Sequence, residues 1–214
     1  MRSIILLVVS MGLAGLAGCG GSSTPIDPTS FIVTIADVRV TPKFDTINQN
    51  DEVTFLNSSA PIRQVISGSL TPSGNPLTIH LITIGNTGFN PPDTQANLGD
   101  TIRFSNATLN TFFLDIVDDN GRVVSSLTLA PGNMQNFTFP GAGVFVIRNR
   151  QNILFRGTVT LFGTPNPDNR FQSPALGNGD TFTIQFTQKG SFPYFVIDTN
   201  SPGRAFITGS ISVQ

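Results

Sequence analysis

The chain has 214 residues, 12% of them charged, and a formal net charge of −1. No run of Lys or Arg exists to neutralise phosphates, which argues against nucleic acid as a partner. A single Cys rules out a disulfide within the chain, so packing and sheet hydrogen bonds must hold the fold.

At the start of the chain, Arg2 precedes an apolar run from Ile4 to Val9, and Leu16-Ala17-Gly18-Cys19 follows. A charged start, a short hydrophobic stretch and small residues at a cleavage point predict an export signal over residues 1–18. The run is too short and too Gly-rich for a membrane-spanning helix. Cys19 directly after Leu-Ala-Gly resembles the lipobox of bacterial lipoproteins. That resemblance implies lipid on the Cys19 sulfur, cleavage before it and acylation of the new amino terminus. Several acyl chains, at about 0.8 kcal/mol per buried methylene, would make membrane attachment permanent. Residues 19–30, dominated by Gly, Ser, Thr, Pro and Asp, read as a flexible tether.

Beyond the tether, apolar residues alternate: Val33 and Ile35, Val53 and Phe55, Ile102 and Phe104, Val159 and Leu161, Ile211 and Val213. Period two with Val, Ile, Phe and Thr predicts half-buried strands, and no stretch has helical period. Turn formers separate them, as in Asn90-Pro91-Pro92-Asp93 and Asp119-Asn120-Gly121. The acidic cluster Asp115, Asp118, Asp119 and Asn120 lacks the spacing and distal Glu of a calcium loop, and reads as a hairpin turn. Many short strands predict an all-β antiparallel sandwich with the 18 Phe in its core.

The chain also repeats itself. Ile35, Pro42, Asp51 and Asn57 recur 49 residues on as Ile84, Pro91, Asp100 and Asn106. Gly132, Phe139 and Gly143 recur 47 residues on as Gly179, Phe186 and Gly190. The order is front half, front half, back half, back half. That order predicts a sandwich interrupted by a copy of itself. The outer domain is expected over 30–69 plus 168–214, and the inner one over 77–162. Leu70 to Pro76 and Gly163 to Asn169, rich in Pro and Asn, are expected to be the linking loops.

Three stretches carry a family pattern. One is a strand, a Pro and an Asp before a strand ending in Asn. The second is Leu-x-Pro/Asn-Gly-x-x-x-x-Phe/Ile-x-Phe, at Leu129 to Phe139 and Leu176 to Phe186. The third is Gly-x-Phe at Gly143 and Gly190, closed by Gly157 to Leu161 and Gly209 to Val213. Together they resemble the cupredoxins, Greek-key β-sandwiches that hold one copper. Immunoglobulin-like sandwiches are the alternative fold. The resemblance implies a His, a Cys, a second His and a Met as ligands, since blue copper needs a thiolate and imidazoles. Those positions fall on Arg63, Val196, Thr199 and Phe206 in the outer copy. In the inner copy they fall on Phe112, Asn149, Asn152 and Phe155. No expected ligand is present in either copy. Arg63 places a fixed positive charge where a cation would sit, and two unit charges about 4 Å apart repel by about 4 kcal/mol at an effective dielectric of 20.

His80 matches Phe31 of the outer copy and reads as a strand-edge residue. No nucleophile with an activating base is recognisable, so an enzyme is not expected. Arg148, Arg150 and Arg156, with Asn152, lie around the inner copy's last loop and read first as a solvated loop that keeps a Phe-rich protein soluble, with a site for a carboxylate, a sulfated glycan or a partner protein as the alternative. The expectation is a non-enzymatic, lipid-anchored protein of the bacterial cell envelope, without cofactor, in a binding or structural role. A glycan or an envelope protein is the expected partner, and the outer membrane or cell surface the expected place. A copper protein for electron transfer or copper handling is the alternative.

Overall fold

The computed structural model describes residues 29–73 and 77–214. The expected signal segment, Cys19 and the tether before residue 29 lie outside the described residues. Five strands come first: β1 (Ser30–Ile35), β2 (Val40–Thr41), β3 (Phe44–Ile47), β4 (Glu52–Asn57) and β5 (Arg63–Thr71). The middle of the chain supplies β6 (Ile79–Ile84), β7 (Phe89–Asn90), β8 (Asp93–Asn97), β9 (Thr101–Asn106) and β10 (Phe112–Val117). It continues with β11 (Val123–Leu129), β12 (Met134–Thr138), β13 (Gly143–Asn149) and β14 (Asn152–Phe162). The chain closes with β15 (Thr164–Gln172), β16 (Thr181–Gln185), β17 (Gly190–Asp198) and β18 (Ile207–Val213).

These strands make four sheets. The ends of the chain build β16-β4-β1-β2 and β15-β5-β17-β18-β3. The middle builds β12-β9-β6-β7 and β11-β10-β13-β14-β8, in the same order position for position. Strand direction matches too: β1 runs parallel to β4 as β6 does to β9, and β18 runs parallel to β3 as β14 does to β8. Each pair of sheets closes on one apolar core. Val33, Ile35 and Phe55 meet Val65, Val196 and Ile211 in the terminal sandwich. Ile84, Ile102 and Phe104 meet Ile116, Ile147 and Val159 in the middle one. Each such buried side chain contributes about 1.5–3 kcal/mol. The protein is an all-β sandwich protein.

The seams differ from expectation. Gly163 to Asn169 is not a linking loop: Thr164 opens β15, and its ladder with β5 pairs Thr164 with Thr71 and Pro165 with Leu70. Leu70 and Thr71 are strand as well. Proline misled the reading here. β15 lies at the edge of its sheet, where a residue without an N–H costs no ladder bond. Gly163 turns the chain from one sandwich to the other, bonded to Ala205 through both N–H and C=O. A Cβ there would lie 2.6 Å from the Leu70 Cβ, so only glycine fits.

One buried amide organises each sandwich. The Asn57 Nδ2 donates to the carbonyls of Pro61 and Leu176, and its Oδ1 accepts from the N–H and hydroxyl of Ser59. Asn106 does the same with Asn110, Leu129 and Thr108. Both side chains are buried. Each closes the loop that follows its own strand, and ties that loop to a segment far along the chain.

A buried carboxylate does similar work at the opposite end of the same strands. Asp51 accepts the N–H groups of Thr29 and Asn48, and Asp100 those of Thr78 and Asn97. Asp100 has a further partner, His80 Nε2 at 2.9 Å, which the sequence reading left as a bare strand-edge residue. Burial alone would raise the Asp100 pKa. The two amides and His80 outweigh it and hold the carboxyl below its ordinary range.

Replacing Asn57 or Asn106 with Ala removes four hydrogen bonds from the interior and leaves the Ser59 or Thr108 N–H without its acceptor. At about 0.5–1.5 kcal/mol for each bond lost, either variant is expected to lose about 3 kcal/mol in denaturant unfolding. The depressed Asp100 carboxyl stabilises the fold above the unfolded carboxylate pKa of about 3.9, and that contribution disappears as pH falls through the folded value. Stability should therefore drop below about pH 4, and Asp100→Asn should flatten part of the drop in pH-resolved thermal unfolding.

Candidate functional site

The loop closed by Asn57 leads straight into Arg63, the first residue of β5. Its side chain points into the end of the terminal sandwich and is only 5% exposed. Nε donates to the Ser59 Oγ at 3.2 Å, and Nη2 donates to the Asp37 carbonyl at 3.0 Å. Arg63 is thus held by the same hydroxyl that Asn57 positions. Both acceptors are neutral. Burial lowers its pKa, while Asp198 and Asp37 pull it up. Asp198 stands directly across the ladder from Arg63, yet no carboxylate among the described residues pairs with the guanidinium within 4.0 Å.

Three of the four outer ligand positions meet in one place. Arg63, Val196 and Phe206 line a cleft of about 270 Å³. Val196 is buried in β17, and Phe206 packs against the core just before β18. Thr199 stays outside the cleft, its N–H and hydroxyl both turned to the Ile62 carbonyl. The rest of the lining was missed by the sequence reading. Asp198, Ser201 and Arg204 come from the β17–β18 connection, and Gln95 and Phe162 come from the middle sandwich. The Arg204 Cζ lies over the Phe162 ring, 3.4 Å from the centroid, and Phe162 meets Phe206 edge to face at 5.3 Å. Opposite signs at Arg63 and Asp198 were a readable cue. Nothing in the sequence announced that a second sandwich would supply one wall.

At the corresponding end of the middle sandwich stand Phe112, Asn149, Asn152 and Phe155. Phe155 packs between Phe89, edge to face at 5.0 Å, and Phe112, tilted at 5.3 Å, and fills the space with carbon. Asn149 and Asn152 pair across the ladder and each caps a turn N–H, of Gln151 and Leu154. The expected basic loop is therefore a tight hairpin whose turn is Arg150 and Gln151. Arg150 is bound to Asp115 at 2.9 Å. Arg148 and Arg156 lie in the strands, directly opposite one another. They line a separate groove of about 450 Å³ with Ile153, Arg39 and Asp119. The acidic cluster is a hairpin turn closed by Asp118 and Arg122, and Asp119 is bound by Lys43 across the sandwich junction at 2.9 Å.

These side chains do not make a blue-copper donor set. Val196, Phe206, Phe112 and Phe155 have no donor atom, Arg63 is a cation, and the Thr199 hydroxyl is engaged. Among the described residues, no three His, Cys, Asp or Glu side chains gather closely enough to hold a metal ion.

No protein-family model matches the chain, and no curated protein matches it. Among solved structures it is similar to a purple cupredoxin from Nitrosopumilus maritimus, at 22% identity and a TM-score of 0.35, over 38% of this chain and 98% of that one. It is also similar to the Cu(I) form of an amicyanin mutant, at 16% identity and a TM-score of 0.35, over 46% of this chain and 98% of that one. A second amicyanin mutant, in its reduced state, gives 14% identity, a TM-score of 0.36, and 45% and 97% coverage. The Cu(I) is a property of that amicyanin.

Proposed function

We propose that this chain is a non-enzymatic, lipid-anchored protein of the bacterial cell envelope, with a binding or structural role and no copper. In this reading it is one cupredoxin-like sandwich carrying a copy of itself in the hairpin between β5 and β15. The observation that carries the copper-free part is the chemistry at the eight ligand positions, which offer carbon, a buried guanidinium and engaged amides. The matching strand orders of the two sheet pairs, and the duplicated Asn57 and Asn106 bonds, support the internal copy. Two connections and the Lys43–Asp119 pair tie the sandwiches to each other. The envelope location rests on the residues around Cys19 alone. A glycan or an envelope protein is the proposed partner class. A copper-handling role is the competing reading, and no observation of this chain's own residues favours it.

Copper titration tests the first part. The purified chain, mixed with Cu(II) and then Cu(I), should develop no intense thiolate-copper absorption and retain no stoichiometric copper after desalting. A one-to-one copper content would end the copper-free reading. For the anchor, the chain made in a bacterial host should partition with membranes and carry acyl mass on Cys19. Cys19→Ser should lose both, and a wild-type chain found wholly in the soluble fraction would end that part.

A further inference from the structure

The cleft at Arg63 has the makings of a ligand site that the copper-free reading leaves unused. Arg63 is a buried residue, and a buried guanidinium normally has a carboxylate beside it, because burying a charge costs several kcal/mol unless it is paired. Arg63 has two neutral acceptors instead. Its Nη1 has no hydrogen-bond partner among the described residues, and it is not among the fully enclosed unpartnered atoms, so it opens onto the cleft. Arg204 lies on the same cleft, its Cζ over the Phe162 ring, and its side chain donates to no described group. Asp198 offsets one of the two positive charges, and its Oδ1 is taken by the Asn200 N–H. The cleft thus carries about one net positive charge. One wall is aromatic, from Phe162 and Phe206, and Gln95 and Ser201 add neutral polar groups.

We propose that this cleft binds a small organic monocarboxylate with a flat apolar body, the carboxylate taken by Arg63 and Arg204 and the body by Phe162 and Phe206. Guanidinium forks match the two oxygens of a carboxylate, and a ring or short alkyl body matches the aromatic wall. About 270 Å³ is at the low end for ligand pockets and holds a molecule the size of benzoate rather than a sugar chain. Asp198 works against dianions such as sulfate. The site spans both sandwiches, so a bound carboxylate also fixes their junction. The proposal rests on the copper-free reading, since a metal at Val196 and Phe206 would occupy the same space.

The test is calorimetric titration of the full chain, in mild detergent, with benzoate and separately with sulfate. Benzoate should bind one-to-one with a dissociation constant in the millimolar range or below, and sulfate at least about tenfold more weakly. Arg204→Gln, at an exposed position, should weaken benzoate about tenfold without changing the unfolding temperature of the free protein. Arg63→Lys, which keeps the charge and loses the fork, should weaken it further. If Arg63→Lys fails to fold, Arg204→Gln alone decides. No saturable benzoate binding, equal binding of sulfate, or an unchanged affinity in Arg204→Gln would each overturn the proposal. Copper retention, measured separately, would overturn the reading beneath it, so the two failures are told apart.

Discussion

Each sandwich depends on one buried carboxamide, Asn57 or Asn106. Its reach is long: the Asn57 amide bonds a carbonyl 4 residues away and another 119 residues away. Two donors and one acceptor, all satisfied inside the protein, leave the loop after the strand a single arrangement. The first strand beyond that loop then starts at a fixed position. In the terminal sandwich that position is Arg63, held through Ser59. In the middle sandwich it is Phe112, in van der Waals reach of Phe155. The same device therefore places a charge in one copy and a ring in the other.

This difference sets the chemistry at the end of each sandwich. Phe112, Phe155 and Phe89 close the middle sandwich, and its β13–β14 connection tightens to a two-residue turn. The terminal sandwich keeps a long connection from Asp198 to Ile207 and a buried cation. Carbon in one end stabilises by packing alone. A guanidinium in the other end costs desolvation and gains its return only from hydrogen bonds or a ligand. The two sandwiches therefore end in different chemistry, packed rings in one and a buried cation in the other.

The junction has its own chemistry. Gly163 permits the close approach of Leu70, the Lys43–Asp119 pair spans the sandwiches, and Phe162 lies between Arg204 and Phe206. A second sandwich entering at a hairpin is held at both ends by strands that pair with each other, Thr71 with Thr164 and Leu70 with Pro165.

Much of this was legible in the residues themselves. Alternation at Val33 and Ile35, or Ile102 and Phe104, marks strands because side chains on a pleat face opposite sides. The offsets of 49 and 47 foreshadow sheets assembled from distant parts of the chain, and Asn57 and Asn106 were visible as matched strand ends. That Val196 and Phe206 carry no donor atom could be read from residue type alone. Other features waited on the fold. Pro165 and Pro167 signalled a loop because edge position, which tolerates proline, is a property of a sheet and not of a segment. His80 was an isolated polar residue until parallel pairing of β6 with β9 set it beside Asp100. Arg148, Arg150 and Arg156 were one basic loop by spacing. The hairpin register put Arg150 on Asp115 and left the other two facing each other across the ladder. Gln95, Phe162, Ser201 and Arg204 had no shared signal, since they are brought together only by two sandwiches packing against each other. Local chemistry and periodicity are written in neighbours along the chain, whereas a cleft is a relation between surfaces that only tertiary packing creates.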